Sequence, residues 1–258
     1  MSSDTVLISP VYFISDLHLG VGSAEAERVK RRRFVELTNT VQQGRGSLVI
    51  VGDLFDFWYE YRYVVPRGSH EVLTALGQLT EAKCPVVYLA GNHDFAIGSV
   101  FSDDLGVTVV RDDLHFSSDG KRFYVFHGDG LAPKDGGYRL LKKLLRARWA
   151  QIAFRVLHPD LGFAIARRFS HGSRDYTSGK FYGETDGMRL EAQNRIAAGA
   201  DYVVMGHRHL PAFERIGNGA YINLGDWLRH FSYAVFEHGD ISLRTLENDM
   251  PITETAAS

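Results

Sequence analysis

Several residues able to bind metal or move protons recur along this 258-residue chain, and each closes a short apolar run. "VYFISDLHLG" delivers Asp16 and His18, and "SLVIVGDLFDFW" delivers Asp53. "VVYLAGNHDF" delivers Asn92, His93 and Asp94, "FYVFHGDG" delivers His127, and "YVVMGHRHLP" delivers His207 and His209. In extended chain, residues i and i+2 project to one face, so Asp16 with His18 and His207 with His209 can each serve one site. The set holds carboxylates, imidazoles and one amide, without a thiolate. That mix suits Mn²⁺, Fe²⁺ or Zn²⁺ and disfavours an all-oxygen Ca²⁺ site. Seven donors (Asp16, His18, Asp53, Asn92, His127, His207 and His209) are too many for one tetrahedral ion. They suit two ions sharing a carboxylate about 3.5–4 Å apart, an arrangement that serves in-line attack at phosphorus. Taken singly, each is more readily a turn or core residue than a ligand, since Gly-Asp and Gly-Asn are ordinary turn pairs. Their joint recurrence after apolar runs favours a metal centre. His70, His115, His158, His171, His230 and His238 lack that context and read as surface or structural groups.

Strands must hold these residues. The β-rich runs "VYFI", "SLVIV", "PVVYLA", "RFYVF", "DYVVM", "AYINL", "YAVF" and "ISLRTL" are separated early in the chain by helical patterns. One helix is expected over Ala24 to Gln43, with Val29, Leu37 and Val41 on one face. A second contains Val72, Leu76 and Leu79 and stops at Cys84-Pro85. The later strands follow without long helices, and "RIGNGAY" reads as a hairpin turn. An α/β protein with a partly antiparallel sheet is implied. In an open α/β sheet, ligands bind outside the carboxyl ends of the strands, where the donors stand.

The stretch 132–183 breaks this rhythm. Leu141, Leu145, Trp149, Ile152 and Val156 form an apolar stripe at helical spacing, with Arg139, Lys142, Lys143 and Arg146 beside it. His158-Pro159 ends that helix, and Leu161 to Phe169 makes a shorter one. We read a helical cap over 132–183 inserted into a core of 1–131 and 184–248, with a loose tail at 249–258. From Tyr138 to Arg174 nine Lys or Arg face one acid, Asp160, a net +8. With −2 overall, the remainder carries −10. Such asymmetry points to an anionic partner. A basic amphipathic helix is commonly a solvated face over a core stripe, but beside a phosphate-cleaving centre a binding role is favoured. Trp58, Tyr59, Tyr61 and Tyr63 suit core packing and a ligand wall equally.

Hydrophobic residues make up 45% and charged residues 23%, the balance of a soluble globular protein. One cysteine, Cys84, excludes a disulfide framework and a cysteine zinc cluster. The N-terminus carries no secretory pattern and no run is long enough to span a membrane, so a cytoplasmic protein is expected.

The ordered series D-x-H, G-D, G-N-H-D, H and G-H-x-H resembles that of the calcineurin-like metallophosphoesterases over nearly the whole chain. The resemblance implies a four-layer αββα sandwich of the metallophosphoesterase type with a helical cap insertion. It implies two divalent ions, Mn²⁺ first with Fe²⁺ or Zn²⁺ as alternatives. One would take Asp16, His18, Asp53 and His209, the other Asp53, Asn92, His127 and His207, with Asp53 bridging. Water activated between the cations would attack phosphorus, His93 would assist the transition state or the leaving oxygen, and Asp94 would orient His93.

Within that superfamily, "FISDLHLG", "GDLFDFW", "GNHDFAIG", "HGDGLAPKDGGYRLLKKLLR", "SRDYTSGK" and "INLGDW" resemble the UDP-2,3-diacylglucosamine diphosphatases of lipid A biosynthesis. These cleave a UDP-diacylglucosamine to UMP and a diacylglucosamine 1-phosphate. The likeness implies Asn92, His93, Asp135, Ser173 and Lys180 as substrate contacts, an amphipathic UDP-sugar lipid as substrate, and peripheral contact with an anionic membrane surface rather than nucleic acid. This chain has His93 where a branch of that family carries arginine. Two other readings are a phosphoesterase acting on a soluble nucleotide or phosphoprotein, against which the apolar, basic cap argues, and a non-catalytic scaffold, against which the full donor set argues.

Overall fold

The computed structural model describes residues 6–61, 63–94, 96–131, 147–165 and 187–247. Eleven strands among them form two mixed sheets. The first sheet contains β1 (Val11–Ile14), β2 (Ser47–Val51), β3 (Val86–Leu89) and β4 (Thr108–Val110), all parallel. Antiparallel β10 (Ser232–Glu237) and β11 (Asp240–Thr245) extend it beyond β1. In the second, β6 (Lys121–Phe126), β7 (Tyr202–Met205) and β9 (Gly219–Leu224) run parallel. Antiparallel β5 (Asp113–Ser118) and β8 (Pro211–Ile216) flank them.

Alternation along the strands builds the layers. Val11 and Phe13, Val49 and Val51, Val87 and Leu89 pack against Val125, Val204, Ile222 and Leu224, filling the space between the sheets. The intervening Tyr12, Ile14, Leu48, Ile50, Val86 and Tyr88 face the other way, onto α1 (Ala24–Gln43) and α2 (His70–Glu81). On the far side, Tyr124, Val203, Met205 and Tyr221 meet Met188 and Ala192 of a further helix, Gly187–Ala197. The order helix, sheet, sheet, helix is the four-layer α/β sandwich, and both faces of the parallel strands are covered, as their unbroken apolar runs require.

Ser23 caps α1 by accepting a hydrogen bond from the Ala26 N–H at 3.2 Å. Helix α2 buries Val72, Ala75, Leu76 and Leu79 and ends before Cys84-Pro85. Both helices and the turn between β8 and β9 fall where the sequence places them, but Val29, expected on the inner face of α1, is only half-buried, and Lys30 and Phe34 take that face. Strands β4, β5 and β8 do not stand out in the sequence. They lie at or next to sheet edges and are only partly buried, so no continuous apolar run marks them.

Candidate metal centre

Parallel pairing continues past the ends of β1 and β2, with Asp16, His18 and Leu19 N–H groups donating to the carbonyls of Gly52, Asp53 and Leu54 at 3.2, 3.0 and 3.1 Å. The two loops therefore leave the sheet together. Asp16, His18, Asp53, His207 and His209 all take left-handed backbone, with φ of 53°, 44°, 53°, 66° and 57°. That region is sparsely populated for residues with a side chain and costs on the order of 1–3 kcal/mol each, so the surrounding loops must enforce it. Glycines make the approach possible. A Cβ on Gly52 would strike the His127 ring, one on Gly91 the Asp53 carboxylate, and one on Gly206 would lie 2.6 Å from Asp16 Oδ2.

Asp16 and Asp53 each have one carboxylate oxygen anchored by backbone and one turned to imidazoles. His207 N donates to Asp16 Oδ2 at 2.7 Å and His93 N to Asp53 Oδ1 at 2.8 Å. Asp16 Oδ1 then lies 3.2 Å from His209 Nε2 and 3.6 Å from His18 Nε2, and the two imidazole nitrogens are 3.2 Å apart. The circle through these three atoms has a radius of about 1.9 Å, near the ~2.0–2.2 Å of Zn–N and Zn–O bonds. Asp16 Oδ1 and His18 Nδ1 are buried without a hydrogen-bond partner among the described residues. This donor set fits a divalent cation.

A second group adjoins it. His127 Nε2 is 3.3 Å from Asp53 Oδ2 and 3.0 Å from Asn92 Oδ1, and Asp53 Oδ2 is 3.9 Å from His18 Nε2. His127 Nδ1 lies 2.8 Å from the carbonyl of Val51, which can only accept, so Nδ1 carries the proton. A neutral His127 would then turn a lone pair on Nε2 toward two acceptor oxygens. Only a proton or a metal cation resolves that juxtaposition. Burial opposes charge on His127, but Asp53 outweighs it and raises the pKa to about 10. Burial likewise opposes charge on His18, and Asp16, Asp56 and Asp53 raise it to about 9. The same carboxylates that favour charge on these two imidazoles would favour a bound cation in its place. His207 meets the His127 ring edge-on, centroids 5.1 Å apart, and burial with the charge of His127 lowers its pKa to about 4, leaving a neutral imidazole.

His93 is buried with its ring edge-on to His18, centroids 4.7 Å apart. Its Nδ1 lies 2.7 Å from the Asp56 carbonyl and 3.9 Å from the Asp56 carboxylate. Asp56, not Asp94, therefore holds the ring, a correction to the expected role of Asp94. The Asp94 carboxylate instead accepts from the N–H groups of Asp53 and Gly91 at 2.9 and 2.8 Å and from the Tyr88 hydroxyl at 2.6 Å. Burial and the nearby Asp53 charge raise its pKa to about 6. Asp94 braces the backbone that presents Asp53.

Two acids missed in the sequence stand behind the donors. Asp56 Oδ1 is 3.5 Å from His18 Nδ1, and Asp226 Oδ2 is 3.7 Å from His209 Nδ1. Asp226 also accepts from the N–H groups of Arg229 and His230 and pairs with the His230 ring at 3.0 Å. It follows β9 in "INLGDW", the same strand-then-Gly-Asp pattern as Asp53, and that signal could have marked it.

Of the apolar stripe, Leu141 and Leu145 lie outside the described residues. Trp149, Ile152 and Val156 on helix α3 (Arg148–Arg155) and just beyond it are 62%, 63% and 83% exposed. Phe154 points the other way, with its ring centroid 5.8 Å from Phe57 and 4.7 Å from Tyr59. Residues 159–165 are helical, and Phe163 meets Phe57 edge-on at 5.3 Å. Tyr59 and Tyr61 thus belong to this aromatic cluster, Trp58 to the main core, and Tyr63 is 85% exposed. Asp135, Ser173 and Lys180, and the cap limits near 132 and 183, lie outside the described residues. No helix among the described residues is long and apolar enough to cross a membrane.

The chain belongs to the calcineurin-like phosphoesterases, whose family model matches residues 9–211. With that membership and this donor set, it is a metal-dependent phosphoesterase. Among curated relatives, a UDP-2,3-diacylglucosamine hydrolase of Porphyromonas gingivalis is 28% identical over 93% of this chain and 98% of its own. One of Pseudomonas fluorescens is 31% identical over 84% and 87%. Among solved structures, the E. coli phosphoesterase Yfce aligns over 95% of this chain and 98% of its own, at 19% identity and a TM-score of 0.48.

Proposed function

We propose that this protein is a dinuclear-metal hydrolase that cleaves the pyrophosphate of UDP-2,3-diacylglucosamine to UMP and 2,3-diacylglucosamine 1-phosphate. The observation that carries the reading is a juxtaposition. A cluster of metal-type donors lies beside a helix that packs on Phe57, one residue from Asp56, while exposing Trp149, Ile152 and Val156. The relatives' activity toward a lipid-bearing nucleotide sugar agrees with that apolar face.

Asp16, His18, Asp53 and His209 would hold one ion and Asp53, Asn92, His127 and His207 the other, with Mn²⁺ the best match. Bound ions would supply Lewis acidity toward phosphoryl oxygens and lower the pKa of water. His93, its Nδ1 proton held by the Asp56 carbonyl, turns Nε2 toward the phosphate and must carry a second proton there to donate to a phosphoryl or leaving oxygen, an imidazolium that the phosphate charge would stabilise. Asn92 and His93 would touch the phosphate, and Asp135, Ser173 and Lys180 the sugar phosphate. The segment 132–183 would act as a cap that takes the acyl chains, and its basic residues would dock the enzyme reversibly on the cytoplasmic face of an anionic membrane, at roughly 1 kcal/mol per residue.

Acyl burial at about 0.8 kcal/mol per methylene makes substrate affinity depend steeply on chain length. Activity on UDP-diacylglucosamine should fall sharply as the chains are shortened, with weaker binding. Equal cleavage of UDP-N-acetylglucosamine, which has no long chains, would overturn the lipid assignment.

A further inference from the structure

The buried stripe of α1 runs through Lys30, Phe34, Leu37, Thr38 and Val41, so a lysine occupies a core-facing position at helical spacing. Lys30 is only 2% exposed. A buried ammonium is costly unless it is paired and fully hydrogen-bonded. Its Nζ donates to the carbonyls of His18 at 2.7 Å and of Leu17 and Val21 at 3.2 Å each. It also forms an ion pair with Glu27 Oε1 at 2.6 Å. The other Glu27 oxygen accepts from Gly20 N at 2.7 Å. One helical turn thus grips the loop leaving β1 from Leu17 to Val21, the loop in which His18 takes left-handed backbone.

The neighbouring loops hold the other side. Asp16 O accepts from Trp227 N at 3.1 Å, and His18 N donates to Asp53 O. The carbonyls of Leu17 and His18 are turned inward, and Lys30 supplies donors to both.

We infer that Lys30, aligned by Glu27, is a positioning residue that sets the left-handed loop at Leu17–Val21 and thereby the metal affinity of the Asp16–His18–His209 position. This rests on reading those three residues as metal ligands. Lys30 touches neither substrate nor the reacting atoms. It orients His18 through the main chain, as residues behind a ligand commonly do, and their loss typically weakens binding 10–100-fold.

The test is a Mn²⁺ titration of the full chain by calorimetry, with His209→Ala marking which binding step belongs to this position. Lys30→Met should weaken that same step 10–100-fold and leave the other step within a factor of about three. Lys30→Gln, which keeps N–H donors, should recover part of the loss. In the metal-free protein, the ¹⁵N resonances of the His18 ring should move in Lys30→Met and less in Lys30→Gln. A folded Lys30→Met chain with both steps unchanged overturns the inference, as does equal weakening of both. If Lys30→Met, Lys30→Gln and the charge-neutral Glu27→Gln/Lys30→Met pair all fail to fold, by far-UV circular dichroism, the lysine supports the fold as a whole and the local role is overturned. A wild-type chain that binds no Mn²⁺ or Zn²⁺ instead removes the metal reading beneath it.

Discussion

The Nδ1 of His93 lies 2.7 Å from the main-chain carbonyl of Asp56, three residues beyond Asp53 in the same loop. Because a carbonyl only accepts, that contact fixes the tautomer and leaves Nε2 as the group offered to substrate. Burial lowers the pKa of His93, so Nε2 gains the proton it needs to donate only when phosphate charge offsets that cost. His93→Ala should lower turnover by about 10²–10⁴-fold, the usual range for a positioned acid or base, with metal content near normal. Elemental analysis separates the roles: metal loss in that variant would assign His93 to the ions instead.

His93→Arg tests the difference from the arginine-bearing branch. An arginine can neutralise developing phosphate charge, so partial diphosphatase activity should survive, above that of His93→Ala. Steady-state rates of the two variants on the diacylated substrate decide it. Activity no higher than in His93→Ala would mean that Asp56 and its surroundings require an imidazole.

Asp53 touches both halves of the site through Oδ2, at 3.3 Å from His127 and 3.9 Å from His18. Asp53→Ala should bring both ions' affinities down by at least about 100-fold, beyond the range seen for residues behind a ligand, and abolish most activity. Loss of a single ion in a metal titration would show that Asp53 does not bridge.

Gly91 leaves no room for a side chain, because a Cβ there would strike the Asp53 carboxylate. Gly91→Ala should displace that carboxylate and lower metal affinity even where the chain folds. Stoichiometry by equilibrium dialysis checks this against Gly120→Ala, where no atom lies within 4 Å of the added Cβ. Gly120 has a positive φ of 75° and Gly91 does not, so the control carries backbone strain without a steric clash and bounds the effect of strain from above.

Trp149 and Ile152 stand exposed on α3 and would meet acyl chains. Replacing both by serine should raise KM for the diacylated substrate about 10-fold or more, since burial of one large apolar side chain contributes roughly 1.5–3 kcal/mol. Hydrolysis of bis(p-nitrophenyl) phosphate should be unchanged. A parallel loss on both substrates would place these side chains in support of the fold.

The sequence by itself determined the strands that carry Asp16, Asp53, Asn92, His127 and His207, because continuous apolar runs followed by Gly, Asp or His are local signals. It determined α1 and α2 for the same reason, through their helical spacing and, for α2, the stop at Cys84-Pro85. Tertiary structure alone decided which atoms face one another. No periodicity foretells that Asp16, His18, Asp53, His207 and His209 share left-handed backbone, since neighbouring loops impose it. Nor could spacing assign the partner of His93: Asp56 is 37 positions away, and Asp94, its neighbour in sequence, is drawn off by Tyr88 and by two backbone N–H groups. Lys30 shows the same limit from the other side. Its charge on a core-facing position looks like a break in the stripe until the loop carbonyls above it are in place. Backbone polar groups must find partners when buried, and which partner is nearest is settled only by packing two sheets face to face.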